Sequence, residues 1–327
     1  MSRSGAAAPA SGAPAAPVDE TLTVIIPTKK RPLALRHTLA ALLAQHRAID
    51  QLIIVDQSAV CEREQLQALR CAAMPRPAWL HLHEPGLSGG AAARNRALQH
   101  ATGAIWLFLD DDVELEPAFT AELLAAYRRW PGAAGFAGLI TNYPPPPWLE
   151  RGWAAVFRRG VFHDDRQPLY WRARRLKDAE PQAVSRFSGS AMSFRAAAVG
   201  ARRFDSRLTG VSPGEDVGLC LALTGGGPGL FIAPRARLRH LRDPAGRRRE
   251  HWVQQLARDA WFLFLSQQQG AARPVWLQRC WLAWLETGLA LAAMASAVRH
   301  RSLAPLAALR AGRREAQDAA DRAPAAA

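Results

Sequence analysis

Short apolar runs separated by polar stretches set the pattern of the first half of the chain. Thr21 to Ile26 is rich in β-branched residues and is ended by Pro27, which predicts a first strand. Pro32 stands where a helix accepts proline at its first position. Leu35, Leu39, Leu42 and Leu43 then recur at helical spacing. Gln51 to Val55 predicts a second strand with Asp56 at its carboxyl end, Glu62 to Arg70 a polar helix, and Trp79 to Leu82 a short third strand. The turn-rich Glu84-Pro85-Gly86-Leu87-Ser88-Gly89-Gly90 leads into a helix containing Ala91 to Arg96. Ile105 to Leu109 is apolar without alternation, as expected of a fourth strand covered on both faces. Strands alternating with helices predict a parallel, right-handed α/β sheet.

Beyond Pro117 the pattern predicts a helix to about Arg129 and a strand over Ala134 to Thr141. Tyr143-Pro144-Pro145-Pro146-Pro147-Trp148 breaks regular structure and opens a second half richer in Trp and Arg. There, Phe187 to Phe194 predicts a strand, Phe204-Asp205 a loop continuing through Leu208 to Pro213, and Gly214 to Leu223 a helix. That helix is entered through Glu215 and Asp216, acids that the helix dipole alone would favour in a first turn. Gly229 to Ala233 predicts a late strand, with His240 following in a run of arginines.

The fourth strand runs straight into Asp110-Asp111-Asp112. The carboxyl end of a strand is where α/β sheets bind ligands. Three carboxylates crowded there raise one another's pKa unless a cation intervenes. Hard cations such as Mg²⁺ or Mn²⁺ take carboxylates together with substrate phosphates. The alternative is an acidic turn capping the helix near Pro117, and spacing alone leaves both open. The Gly-rich loop follows a strand and precedes a helix, but Gly-x-Gly-x-x-Gly is absent, so a dinucleotide fold is not supported. Its glycines either let the helix pack closely or let that helix present Arg94 to a nucleotide.

Composition narrows the partners. The 327 residues are 49% hydrophobic and 21% charged, enough for one large or two ordinary domains with a packed core. A net charge of +14 implies anionic partners: nucleic acid, a membrane surface or phosphorylated substrates. Cys61, Cys71, Cys220 and Cys280 show no metal-ligand or disulfide spacing and read as free thiols in a reducing, cytoplasmic setting. Residues 1–20, rich in Ala, Pro, Ser and Gly, read as a disordered tail without a secretory signal.

Four blocks, in order, resemble the family 2 glycosyltransferases. They are Thr23-Val24-Ile25-Ile26-Pro27-Thr28 with Arg31-Pro32; Ile53-Ile54-Val55-Asp56-Gln57-Ser58; Ala93-Arg94-Asn95 with Phe108 to Asp112; and Phe187-Ser188-Gly189-Ser190 through Phe204-Asp205 to Gly214-Glu215-Asp216. The resemblance covers roughly Leu22 to His240. It implies an inverting enzyme of α/β class with the GT-A fold, a Rossmann-like, mainly parallel sheet flanked by helices. A nucleotide-binding half would span 21–142 and an acceptor half 143–245. It further implies that Pro27, Thr28, Arg31, Asp56 and Arg94 contact the nucleotide, and that Asp110 and Asp111 reach ribose and diphosphate. Asp112 and His240 would hold Mn²⁺ or Mg²⁺. Asp216 would be the catalytic base with Glu215 beside it, and Gly189 and Ser190 would lie on the acceptor side. The partners implied are a nucleotide-diphosphate sugar donor and a glycan or lipid-linked acceptor, in cell-surface polysaccharide synthesis. The chain departs from the family with Gln57-Ser58 where a second acid and a Gly are usual, and with Lys29-Lys30 where an aromatic and an Asn are common.

A C-terminal helical extension is expected over 246–312, and a frayed tail over 313–327. Val275 to Val298 is long enough to span a bilayer, but Arg279 and Glu286 inside it cost about 2.5–3.5 kcal/mol each at a bilayer centre. Helical projection puts Leu277, Trp281, Trp284, Leu285 and Leu291 on one face, and Arg279, Glu286, Ala290, Ala293 and Ala297 on the other. That pattern fits an interfacial helix in peripheral membrane contact, or one packed on the domain. Arg247-Arg248-Arg249 could meet anionic head groups. Two other readings compete. A basic nucleic-acid-binding protein would need basic and aromatic residues interleaved on one face, and none is recognisable. A sugar-phosphate nucleotidyltransferase would carry a Gly-rich loop after the first strand, where this chain has Pro27 to Pro32 without Gly.

Overall fold

A computed structural model describes residues 20–61, 66, 77–207, 214–224, 229–242, 252–266 and 274–321. The expected polar helix at 62–70 apart from Leu66, the loop at 208–213, the arginines 247–249 and the tail 1–19 lie outside the described residues. The strands are β1 (Leu22–Thr28), β2 (Gln51–Asp56), β3 (Ala78–His83), β4 (Ile105–Leu109), β5 (Val113–Leu115), β6 (Gly135–Ile140), β7 (Gln182–Val184), β8 (Ala191–Arg195) and β9 (Leu230–His240). They form one sheet in the order β3-β2-β1-β4-β8-β6-β9-β5, with β7 also paired to β9. The first four strands are parallel, as the alternating pattern predicts. The second half departs from it: β8 runs antiparallel to β4 and β6, and β9 antiparallel to β5 and β7, while β6 and β9 are parallel. The fold is thus a mixed, mostly parallel α/β sheet flanked by helices, with a C-terminal helical region.

The antiparallel pairings carry the site's geometry. β4 meets β8 in a register that sets Leu109 against Ala191, so the Asp110 N–H donates to Ser190 O at 3.2 Å. Phe187 to Ser190 lie before this strand rather than in it. The Gly189 N–H is engaged by the Asp216 carboxylate at 2.8 Å instead of a neighbouring strand. β5 meets β9 with Val113 opposite His240, and the Leu241 N–H donates to Asp112 O at 2.8 Å. β9 therefore runs well past the expected Ala233. Ala236, Leu238 and His240 are buried while Arg235 and Arg239 are exposed, a two-residue alternation written in alanine and arginine. The register shift after Gly138, where Ala233 is followed by Arg237 as partner, accommodates Pro234 as a bulge.

The C-terminal helices are Trp252–Ser266, Val275–His300 and Ala304–Ala320. Residues up to Ala320 thus belong to a helix, which corrects the frayed tail expected from 313. Ala308, Gly312, Ala316 and Ala319 are buried at helical spacing, and a Cβ on Gly312 would stand 2.2 Å from Gln254 O. These small residues are the close-contact face against helix Trp252–Ser266. The 26-residue helix Val275–His300 is long and apolar enough to cross a membrane. Its protein-facing row is Gln278, Leu282, Leu285, Leu289, Ala293 and Ala297. Glu286 accepts from Trp261 Nε1 at 2.5 Å, and Trp153 Nε1 donates to Gly288 O at 3.1 Å. The projected faces are accordingly rotated. Leu285 faces the core and Trp281 packs on Gly160, while Trp276, Cys280, Trp284, Leu291 and Val298 form the outward stripe.

Candidate active site

The turn after β4 is pinned from below by helix Pro32–Leu43. The buried Thr38 hydroxyl accepts from Val113 N–H at 3.0 Å and lies 2.9 Å from Asp111 O. Asp111 is fully buried. Its carboxylate takes Thr28 Oγ1 at 2.6 Å and Arg31 Nη2 at 2.8 Å. Burial pushes this carboxyl up to about 7 against the pull of Arg31. Thr28 and Arg31, expected at the nucleotide, brace the aspartate turn through Asp111 and also line the pocket beside Asp56. Arg31 Nη1 also reaches Asp112 Oδ2 at 3.0 Å.

The other oxygen of Asp112 faces His240 Nε2 at 3.1 Å, and Asp110 Oδ2 lies 4.0 Å from the same nitrogen. One ligand atom each from Asp110, Asp112 and His240 falls within 4.8 Å of the others. Two carboxylates and an imidazole suit a divalent cation of the Mn²⁺ or Mg²⁺ kind, the imidazole favouring the softer end. His240 is 8% exposed, set in a strand rather than on a surface among arginines. Its Nδ1 meets Tyr143 OH at 2.6 Å and Ser190 Oγ at 3.3 Å, partners that fix the ring with Nε2 toward the aspartates.

The Gly-rich loop is explained by close approach. Gly89, with φ of +96°, has the left-handed backbone that starts helix Gly90–Leu98. A Cβ on Gly90 would sit 2.8 Å from Glu215 Oε1 and 2.9 Å from Arg94 Nη1. Arg94 is buried, ion-paired through Nη1 to Glu215 Oε1, and 3.3 Å through Nη2 from Asp110 Oδ1. It links the two acidic groups of the site. Burial pushes the Glu215 carboxyl up to about 7, opposed by Arg94 and reinforced by Asp216.

Asp216 is the more accessible of the pair, with its side chain 17% exposed against 5% for Glu215. Its Oδ2 accepts from Gly189 N–H at 2.8 Å and lies 4.0 Å from Arg166 Nη1. Arg166 is itself held by both oxygens of Asp164 at 2.9 Å and donates to Phe187 O. Burial works against the Asp164 anion, but Arg166 holds its carboxyl well below the usual range.

Asp56 ends β2 beside a smaller pocket lined by Thr28, Arg31, Pro32, Ser58 and Val60. Burial opposes its charge, yet contacts from His81 and Ser58 hold it below the usual carboxylate range. Gln57, which stands in place of the usual second acid, is buried and donates to Gly89 O at 3.0 Å, tying β2 to the Gly-rich loop. Pro27 is half-buried at the end of β1.

Asp110, Asp112, His240, Ser190, Gly189, Asp216, Arg94 and Glu215 are therefore brought together, and Asp56 lies at a neighbouring pocket. Thr38, Tyr143 and Arg166 were not foreseen. Tyr143 lay in a stretch read only as a structure breaker, and single threonine and arginine positions carry no spacing signal.

The sequence profile of the family described as Glycosyl transferase family 2 matches residues 23–199. No protein of curated function matches the chain. Among solved structures, the mannosyltransferase PcManGT from Pyrobaculum calidifontis, in complex with GDP-Man and Mn²⁺, is 19% identical with a TM-score of 0.55. That alignment covers 92% of this chain and 86% of the other. S. aureus TarS 1-349 in complex with UDP-GlcNAc is 13% identical with a TM-score of 0.53, covering 81% of this chain and 71% of that one. A longer TarS structure aligns with 81% of this chain at 16% identity and a TM-score of 0.51, but over only 42% of its own length. These likenesses are of GT-A fold.

Proposed function

Since the chain belongs to glycosyl transferase family 2, and is so a glycosyltransferase using a nucleotide-sugar donor, we propose that it moves the sugar with inversion onto a glycan or lipid-linked acceptor in cell-surface polysaccharide synthesis. Asp110, Asp112 and His240 would hold a divalent cation, Mn²⁺ or Mg²⁺. Bound there, the cation supplies Lewis-acid neutralisation of the leaving diphosphate. Asp56 and the pocket beside it receive the nucleoside. Asp111 acts from within, fixing Thr28 and Arg31 against the turn. Asp216 takes the proton of the acceptor hydroxyl, and Glu215 anchors Arg94. With base and leaving group on opposite faces of the sugar, a single displacement inverts the anomeric carbon.

One observation carries this reading. Gly189 and Ser190 are adjacent in the chain, and one touches Asp216 while the other touches His240. The proposed base and the cation cluster thus both rest on the same two adjacent residues. The Mn²⁺ and GDP-Man bound in the mannosyltransferase relative support the cation and the donor class. The experiment is calorimetry with nucleoside diphosphates plus and minus Mn²⁺, followed by a nucleotide-sugar panel scored for slow hydrolysis. Cation-dependent binding of a diphosphate, with none of DNA or of nucleoside triphosphate plus sugar phosphate, is the expected result. Binding that ignores the cation would overturn the cluster's assignment.

The same reading places the enzyme peripherally on the cytoplasmic face of a membrane. Its support is the outward stripe of Trp276, Trp284, Leu291 and Val298, which are 66%, 46%, 50% and 80% exposed. The opposite face of that helix is packed on the protein.

A further inference from the structure

Tyr143 belongs to two places at once. Its hydroxyl meets His240 Nδ1 at 2.6 Å, and it lines a cavity of about 770 Å³. Trp171 supplies a second aromatic wall, and the lining carries Arg151, Arg172, Arg174 and Arg175 without any acidic residue. None of these four arginines forms an ion pair among the described residues. The backbone that bears three of them is firmly held. Tyr170 and Ala173 are 4% and 2% exposed, and Arg237 Nη1 donates to Ala173 O at 3.1 Å. Arg172, Arg174 and Arg175 stand outward from these buried anchors.

Four cations gathered at one cavity repel one another unless an anion joins them. The guanidinium fork matches the paired oxygens of phosphate, and several forks match a diphosphate better than one carboxylate needs. The cavity also adjoins the catalytic side. Pro168 lines it, and Arg166, two residues earlier, lies 4.0 Å from Asp216. On its other flank, Arg151 belongs to the helix Trp148–Phe157, none of whose residues is buried and whose Trp148 and Leu149 are 71% and 64% exposed.

We propose that this arginine-lined cavity binds a phosphate or diphosphate group carried by the acceptor. It deepens the glycosyltransferase reading and rests on it for the word acceptor, while the anion site stands on its own geometry. The group is either the head of a lipid-linked acceptor or part of a soluble phosphorylated one. The exposed Trp148 and Leu149 beside Arg151 suit the lipid-linked source.

The test uses the full chain. Inorganic pyrophosphate is titrated in the presence of a chelator, so that the aspartate cluster holds no cation. A parallel arm measures sedimentation with phosphatidylcholine vesicles, with and without phosphatidic acid. The triple variant Arg172→Gln, Arg174→Gln, Arg175→Gln is compared with a charge-matched triple at other exposed arginines, Arg202→Gln, Arg203→Gln, Arg310→Gln. Pyrophosphate affinity is expected to fall about tenfold or more in the first and to hold in the second. Vesicle binding that needs phosphatidic acid and falls with it assigns the lipid-linked source; loss of pyrophosphate binding alone assigns the soluble one. Equal affinity in wild type and first triple, or equal loss in both triples, overturns the site. Mn²⁺-dependent nucleotide binding, measured separately, should be unchanged in both. Its absence from the wild type would count against the glycosyltransferase site and leave the pyrophosphate result standing.

Discussion

Asp112 and His240 stand 128 positions apart in the chain and 3.1 Å apart in space. What joins them is the antiparallel pairing of β5 with β9, which sets Val113 opposite His240. The imidazole is positioned in turn by Tyr143, a residue that never approaches the aspartates in sequence.

That chain of contacts gives a graded prediction. His240→Ala removes a proposed cation ligand, and Mn²⁺-dependent affinity for a nucleoside diphosphate should fall more than a hundredfold. Tyr143→Phe keeps the ring and loses only the hydroxyl, and should cost about ten- to a hundredfold through the histidine. Calorimetry at saturating and limiting Mn²⁺ reads both. A Tyr143→Phe protein whose cation dependence matches wild type would show that His240 is oriented by its strand alone.

The sequence and the structure part company where a signal is carried by topology rather than spacing. β1 to β4 were legible because apolar runs bounded by Pro27, Asp56 and Asp110 admit few other readings. β9 was cut short at Ala233 because the inward positions, Ala236, Leu238 and His240, alternate with arginines that mask them in any windowed reading. The last turns of the final helix, 313–320, carry no tail-versus-helix signal because they are polar and alanine-rich, whereas the buried Ala316 and Ala319 show alanine serving as the small contact face of a close helix crossing. Thr38, Tyr143 and Arg166 act as single side chains reaching across the fold, and a single residue has no period.

The outward stripe of Val275–His300 predicts reversible membrane binding. Replacing Trp276, Leu291 and Val298 together by serine removes apolar area that is half or more exposed and no buried side chain, so thermal stability should change little while vesicle binding drops. Wild type should be released by alkaline carbonate, because Glu286 is engaged by Trp261 rather than free to cross lipid. Vesicle flotation of wild type and triple variant is the measurement. Equal flotation of the two proteins would refute the stripe.

Glu215 gives a pH dependence of known sign. In the folded protein its carboxyl is pushed up to about 7 from an ordinary 4.5, first by burial. The folded state therefore holds a proton that the unfolded chain has released. The stability this contributes is fully present below about pH 4.5 and is lost as pH rises through about 7. The whole effect is of order 1–3 kcal/mol. Glu215→Gln should flatten the slope of unfolding free energy between pH 5 and 8. Asp111, also pushed up to about 7, retains its own share of that slope. Losing the partner of Arg94 adds a constant offset, so the slope and not the absolute stability is the readout. Urea titrations across the range would show parallel slopes if Glu215 ionised as an exposed carboxyl does.

The two neighbouring acids should separate most clearly in turnover. Asp216 keeps a partly open carboxylate, one oxygen of which is steadied by the Gly189 N–H, at the edge of the segment that also touches His240. Glu215 is buried and ion-paired to Arg94, which leaves it no path to an acceptor hydroxyl. Asp216→Asn preserves shape and the Gly189 contact but cannot accept a proton at the strength needed. Transfer should fall about 10²–10⁴-fold. Donor affinity should barely change, because the proposed diphosphate site is at Asp110, Asp112 and His240. Glu215→Gln acts at one remove. It loosens Arg94, and through Arg94 the Asp110 carboxylate at 3.3 Å, so its signature should be weaker donor binding with a smaller loss of kcat. Steady-state kinetics on the best donor, with KM and kcat separated for each variant, decides between them. A dead Glu215→Gln beside a near-normal Asp216→Asn would transfer the role of base to Glu215. Full turnover in both would reduce the pair to the first turn of a helix, and the base would have to be sought among other groups facing Gly189.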